Sequence, residues 1–521
     1  MNQKAMRRFV ASLLLVISFA CVAAAQDADQ VRRVSVGYRT LRNTGELTSK
    51  LSAEALAEVD RLAQMAVKAT TDRKYGDALK HYYHAMAILR EQPWTPLSAL
   101  GAAMTVKLDR QMLEPGASFT LRLGQMFALD KSVEGKLKGA VVLLKPGNRP
   151  GQQQQLIKEL KTLEQIDPDF TARAFMTQIE APDIAAGNYR IMVRLAGAGA
   201  ETIEKSAPVH IERGLASKAS AARERAAKVE STLKSTSAAL VSALHSARYR
   251  IALYDKADRG EINFDRIDFN KQLDEALAML DALERGRDPL ASRRGEFKKA
   301  YLSKVDNTLQ PYQLFVPSSY DASKPYPLII ALHGMGGDEN SYFAGYGNGS
   351  FKVEAEQRGY IVACPKGRSP ASMYLNDAER DVMDVLGEVM RDYKIDPDRV
   401  YMTGHSMGGF GSWSIAMNHP GVFAAIAPVA GGSYAPAGMS KITHIPQIVI
   451  HGDNDKTVAV ERSREMVAMG KKLGAQMKYI EVPGGSHSDV VVPTFKDVFD
   501  WFDAHRRKPA EAKAAGAASK N

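Results

Sequence analysis

Val400-Tyr-Met-Thr-Gly-His-Ser-Met-Gly-Gly409 is the stretch whose reading decides the fold. A short β-prone run enters Gly404-His405-Ser406-Met407-Gly408, a G-x-S-x-G pattern, and helix-compatible sequence follows. The pattern predicts Ser406 at the tip of a sharp strand-to-helix turn, in strained backbone geometry. Side chains at 404 and 408 would collide with the neighbouring strand and helix, so glycine is required there. The turn pushes the hydroxyl outward, and the N-terminus of the following helix favours negative charge developing beside it.

Outward from this turn, apolar runs recur at Pro327–His333, Tyr360–Cys364, Val400–Thr403, Phe423–Val429, Ile445–His451 and Met477–Val482. Helical stretches separate most of them: Asp377–Asp392, Met407–Met417, Val460–Leu473 and Val490–His505. Asn376 with Glu379 three residues on predicts a capping box. Runs apolar throughout, with helices between, specify a mainly parallel sheet covered on both faces, an α/β domain over about 305–505. Ligands bind beyond the carboxyl ends of such strands, so the chemistry belongs to the residues that follow each run.

A serine hydroxyl needs a base beside it. His487, in Val482-Pro-Gly-Gly-Ser-His-Ser-Asp489, lies in a loop after the last strand and is the best candidate. The other histidines of this region have plainer readings. His405 would point away from its neighbour's hydroxyl, His333 and His451 end strands, His419 closes a helix and His444 precedes a strand. A third group must hold the imidazole tautomer. Ile448-Val-Ile-His-Gly-Asp-Asn-Asp455 offers Asp453 and Asp455, and Asp455, further into the loop, is preferred. Donors to an oxyanion are expected from the backbone of Met407 and from the turn Ala331-Leu-His-Gly-Met-Gly-Gly337, at Met335 with Gly336 as the alternative.

His333-Gly-Met-Gly-Gly337, Ile395-Asp-Pro-Asp-Arg-Val400 running into the elbow, His451-Gly-Asp-Asn-Asp455 with Val458, and Gly485-Ser-His487 together resemble the α/β-hydrolase fold. Its esterase/depolymerase and prolyl-oligopeptidase-like branches are the most similar. The resemblance covers about 200 of the 521 residues. It implies that the acid of the H-G-x-x-D turn, here Asp455, joins Ser406 and His487 in a triad. The expected activity is a serine carboxylic-ester hydrolase working through an acyl-enzyme. The 48 residues between Ser406 and Asp455 leave little room for a large lid, which suits a bulky or polymer-linked ester such as a polyhydroxyalkanoate or a plant phenolic ester. The loop Asp338–Phe343 and the segment Ser369–Asn376 are expected at the cleft. A prolyl-oligopeptidase-like serine peptidase is the alternative, although 26–300 offers too few strands for a propeller. A binding or scaffold protein with a vestigial hydrolase domain is the other. No H-E-x-x-H, close Cys/His cluster or dinucleotide fingerprint is present, so neither metal nor organic cofactor is expected.

At 521 residues the chain exceeds what one hydrophobic core organises, so further domains are expected. Lys4, Arg7 and Arg8, the apolar run Phe9–Ala20 and Ala23-Ala24-Ala25 have the order of a signal peptide over 1–25, which predicts a periplasmic or secreted product with no transmembrane anchor in the mature chain. Residues 26–95 read as helical. Residues 100–213 alternate like a small β-sandwich of the immunoglobulin or fibronectin sort, open to a glycan or protein contact. Residues 215–300 return to helix, as a linker domain or a partner of the N-terminal helices, and 508–521 read as a disordered tail. Cleavage would leave Cys364 alone, in a run that predicts a buried core position. The net charge of +10 is not carried by residues 301–505, which hold 18 Lys/Arg against 23 Asp/Glu, so nucleic-acid binding has little support.

Overall fold

The structure is a computed structural model and describes residues 28–147, 152–197, 199, 201–233 and 237–507. The expected signal peptide and C-terminal tail lie outside the described residues. The chain divides into two compact units, one of residues up to 217 with 254–267 and one of 218–253 with 268 onward.

The first unit opens with helices. In Ala53–Thr71, Ser52 caps the chain end by accepting from the Ala55 N–H, and Val59, Leu62, Ala66 and Ala69 make a buried stripe at helical spacing. Tyr75–Leu89 buries Ala78, Leu79, Tyr82, Ala85 and Met86 into the same core. Pro96 lies just past the stretch read as helical. With Thr95 as N-cap it starts a further helix, Pro96–Ala103, through a reciprocal capping box with Ser98.

Two sheets follow, forming a small β-sandwich-like region. Met104–Leu108, Ser118–Gln125 and Phe175–Glu180 make a three-stranded antiparallel sheet. The other sheet has the order Met112–Leu113, Thr202–Ile211, Gly187–Ala196, Leu137–Lys145, Gln155–Ile166. Phe119, Leu121 and Leu123 from the first meet Val141, Leu143, Ile191 and Val193 from the second in one core. Alternation along each strand produces that arrangement.

In the second unit the sheet has eight strands. Across it run Met477–Val482, Gln447–Gly452, Ala425–Val429, Ile395–His405, Tyr326–Leu332, Ile361–Pro365, Leu309–Val316 and Gly295–Leu302. The first six are mutually parallel, and Leu309–Val316 is antiparallel to both its neighbours. Leu328 to Leu332 is fully buried, as a strand covered on both faces requires. Cys364 lies in this core, and burial pushes its thiol well up.

Three details differ from the sequence reading. Gly295–Leu302 is one of the two edge strands of this sheet, although it begins inside the stretch read as helical. Of the stretch read as helical, residues 218–253 and 268–284 group with this sheet and 254–267 with the first unit: Ser246 Oγ accepts from the Ala300 N–H at 3.0 Å, and Ser242 donates to Glu388 at 2.8 Å. Asn376 does not cap the helix Asp377–Asp392 with its side chain; its φ of 52° departs from the extended backbone of a capping residue, and Glu379 binds Asn418 and His419 instead.

Candidate active site

The turn after Ile395–His405 is forced by its neighbours. A Cβ on Gly404 would lie 2.2 Å from the Gly408 carbonyl oxygen, and one on Gly408 would lie 2.0 Å from that of Leu332. No L side chain fits either place. Between them Ser406 takes φ 55° and ψ −115°, held by its N–H donating to Val429 at 2.9 Å. Such a backbone is costly, and persists only where surroundings over-determine it.

At this turn three chain-distant groups meet. Ser406 Oγ lies 2.8 Å from His487 Nε2, and His487 Nδ1 lies 2.6 Å from Asp455 Oδ2. The other oxygen of Asp455 accepts from the N–H groups of Thr457 at 2.7 Å and Val458 at 2.9 Å. Burial of this carboxyl works to raise its pKa. The bonds from His487, Val458 and Thr457 outweigh that and hold it below the ordinary aspartate value, so it remains an anion beside the imidazole. Asp453 is exposed and accepts from the Gly484 N–H at 2.6 Å, which ties the two loops without touching the ring.

The loops carrying acid and base are also pressed together. A Cβ on Gly452 would lie 2.1 Å from the Gly485 carbonyl oxygen. The pair was visible in the sequence as glycines flanking the two candidate residues, but their contact was not.

Of the expected oxyanion donors, the Met407 N–H opens the helix Met407–Asn418, where no carbonyl of the same helix reaches it. In the glycine turn, the Gly334 N–H donates to the Tyr346 hydroxyl, that of Gly336 to Pro370, and that of Gly337 to Gly334. The Gly336 alternative is thereby engaged. Met335 keeps a side chain 63% exposed, and among the described residues no carbonyl is paired with its N–H.

Sequence reasoning missed two imidazoles. His451 Nε2 is a second neighbour of Asp455 Oδ2 at 3.1 Å, and its Nδ1 faces Ser463 Oγ at 2.7 Å. His405 binds the Tyr346 hydroxyl and the His487 carbonyl. Tyr342 and Phe343 of the expected cleft loop are buried in the core beside the large sheet, Tyr342 against Phe351 and Phe495. The Ser369–Asn376 segment meets the glycine turn through the Pro370 carbonyl, and Tyr374 packs edge-on to His333. Tyr434, 67% exposed, stacks on Phe410 at 5.0 Å, one helical turn beyond Ser406. Among the described residues no three His, Cys, Asp or Glu groups are placed to share a metal ion, and no helix is long and apolar enough to cross a membrane.

Comparison with known proteins adds four findings. The profile of the prolyl oligopeptidase family matches residues 375–448. A protein of Aspergillus oryzae described as "Probable feruloyl esterase C" is 31% identical over 189 residues, 34% of this chain and 68% of that protein. A bifunctional acetylxylan esterase/xylanase of Neocallimastix patriciarum is 28% identical over 145 residues, 27% of this chain and 21% of that one. Among solved structures, a thermostable esterase superposes with a TM-score of 0.39 at 17% identity, over 78% of this chain and 100% of its own.

Proposed function

The chain belongs to the α/β-hydrolase serine esterases related to the feruloyl esterases, and from that premise we propose that it cleaves bulky or polymer-linked carboxylic esters through an acyl-enzyme on Ser406. The observation that carries the reading is the unbroken line from Ser406 Oγ to His487 at 2.8 Å and from His487 to Asp455 at 2.6 Å.

In this mechanism His487 Nε2 takes the hydroxyl proton as Ser406 Oγ attacks the ester carbonyl. Asp455 accepts from Nδ1–H, which fixes the tautomer and stabilises the imidazolium. The N–H groups of Met407 and Met335 receive the oxyanion, helped by the helix N-terminus. His487 then protonates the leaving alkoxide, and water, deprotonated by the same ring, releases the acid. The line and the two uncommitted donors are what a serine needs to act at neutral pH.

The substrate reading is drawn from chemistry. Exposed Met335 and the Tyr434–Phe410 stack offer flat apolar surface near the nucleophile, suited to an aromatic acyl group such as the feruloyl group of the Aspergillus protein's name. An acetyl ester would make little use of it. The basic-then-apolar order of residues 4–25 supports export, where polymer-linked esters are met.

The peptidase reading has the family profile in its favour. Against it, the described residues before the large sheet hold eight strands, half of the roughly sixteen in the smallest four-bladed propeller. Hydrolysis of p-nitrophenyl esters, set beside peptide p-nitroanilides and methyl ferulate, tests the proposal. Ester turnover that disappears in Ser406→Ala, with the fold intact by circular dichroism, is expected. Anilide turnover exceeding ester turnover would transfer the chain to the peptidases, and full turnover in Ser406→Ala would end the mechanism.

A further inference from the structure

His405, Tyr346 and Gly334 form a part-buried chain that the triad does not include. His405 Nε2 lies 2.9 Å from the His487 carbonyl oxygen, its Nδ1 lies 3.0 Å from the Tyr346 hydroxyl, and that hydroxyl lies 3.2 Å from the Gly334 nitrogen. The proton positions follow from the partners. A carbonyl only accepts, so Nε2 carries the hydrogen. Nδ1 is then a lone pair and accepts from the Tyr346 O–H, whose oxygen accepts from the Gly334 N–H. Every donor in the chain has one acceptor, and all bonds run in one direction.

We propose that His405 and Tyr346 are positioning residues that hold the backbone of His487 and the Met335 turn in register with Ser406. This rests on the esterase reading above and deepens it. The chain ties together three separate loops: the turn carrying the Met335 N–H, the elbow itself, and the loop carrying the base. His405 is only 5% exposed and its ring lies 4.8 Å from that of His487, while Tyr346 meets it edge-on at 5.4 Å. A Cβ on Gly334 would lie 3.1 Å from His405 Nδ1 and 3.3 Å from the Tyr346 oxygen, so the turn is seated directly on the pair. Burial lowers the imidazole pKa to about 4, which keeps the ring neutral and this bond direction in place at neutral pH. Misplacing a reacting group by about 1 Å costs roughly a hundredfold in rate, so such a brace has catalytic consequence without touching substrate.

Tyr346→Phe, His405→Leu, His405→Gln and the double variant Tyr346→Phe/His405→Leu separate positioning from folding. Sites are counted by fluorophosphonate labelling, and kcat is expressed per labelled site, so a fraction that fails to fold drops out of the count. Tyr346→Phe keeps the edge contact and removes only the hydroxyl. It is expected to lower kcat on a soluble p-nitrophenyl ester about tenfold, with KM within twofold. His405→Leu should lose about a hundredfold, the double variant no more than that, because the chain acts as one unit. His405→Gln, whose terminal amide can still donate to the His487 carbonyl, should recover part of the loss. Wild-type kcat per labelled site in Tyr346→Phe, or multiplicative losses in the double variant, would overturn the proposal. Should His405→Leu yield no folded protein, Tyr346→Phe decides alone. The parent reading fails separately, by ester turnover that survives Ser406→Ala.

Discussion

The two sheet systems of this protein handle strain differently. In residues 104–211 a side chain's fate follows its place in the strand: Phe119, Leu121 and Leu123 go to the core and their alternates do not. Tightness occurs there too, since a Cβ on Gly139 would lie 1.9 Å from the Arg194 carbonyl oxygen, but it is tightness between paired strands. In the second unit, left-handed backbone at non-glycine residues collects in loops beyond the parallel strands, at Asn348, Arg368, Met373, Tyr374, Asn376, Ser406 and Ala430, with Asn307 in a hairpin, whereas among the described residues of 104–211 only Gln165 has it. Pairing and burial explain the first pattern. The second has no use in a core, and becomes intelligible when distant side chains must be aimed at one point.

The largest effect should come from the carboxylate on which that aim depends. Asp455→Asn preserves shape but offers its amide where His487 Nδ1 now donates, and a kcat loss of about 10⁴-fold is expected with the fold retained. Steady-state kinetics on a p-nitrophenyl ester would measure it. A loss under tenfold would mean that the aligned geometry at Asp455 is ordinary packing after all.

Next in size is a change in the other sheet system. Phe119 is fully buried where its two sheets meet. Phe119→Ala should cost about 3–5 kcal/mol of that region's stability, read from denaturant unfolding, while kcat per labelled site on a soluble ester stays within twofold. A fall in kcat in step with stability would erase the distinction between the two regions.

What could be read from sequence divides along the same line. The parallel strands and the elbow were legible because burial on both faces writes continuous apolar runs, and because the nucleophile turn tolerates only glycine at 404 and 408. Gly295–Leu302 was hidden by Lys298 and Lys299, since a buried lysine in a strand makes sense only beside its partner, here Asp392 at 2.7 Å. Gln155–Ile166 was hidden by apolar residues at Ile157, Leu160, Leu163 and Ile166, a spacing of three that mimics helix. Register shifts against Leu137–Lys145 let that spacing serve a strand. At the site, Ser406, His487 and Asp455 were each marked by a loop motif. His405 stood inside the elbow motif only as one of its unspecified positions, and Tyr346 in no motif, because a brace between loops has no local signature.

An effect of intermediate size concerns acid. Burial depresses the His405 pKa to about 4, and its neighbours divide: the His487 carbonyl and Asp455 raise it, while the rings of His487 and His451 lower it; the Tyr346 hydroxyl also faces it. Since the unfolded value is about 6.5, the unfolded chain binds more protons between pH 6.5 and 4. The contribution is whole above pH 6.5 and is lost as pH falls toward 4, in all about 1–3 kcal/mol. His405→Gln, which cannot titrate, should show a flatter stability profile across that window by denaturant unfolding. Asp455, held below its ordinary value, loses its contribution only at lower pH, so the two are separable. A profile unchanged by the substitution would show that the ring is not kept neutral by its burial.

The smallest effect asks whether strain belongs to the second unit as a whole or to its strand-end loops. Gly387 lies on the exposed side of the helix Asp377–Asp392, and a Cβ there would meet nothing within 4 Å. Glycine in a helix interior loses more chain freedom on folding than alanine, so Gly387→Ala should add about 0.5–1 kcal/mol of stability and leave kcat unchanged. At Gly408 the same methyl would overlap the Leu332 carbonyl, with loss of both fold and activity. Opposite signs from one chemical change within one unit would locate the strain in the loops around Ser406. If Gly387→Ala were instead destabilising, or slowed turnover, the helix itself would be held out of its relaxed geometry, and the contrast would have to be drawn between the units as wholes.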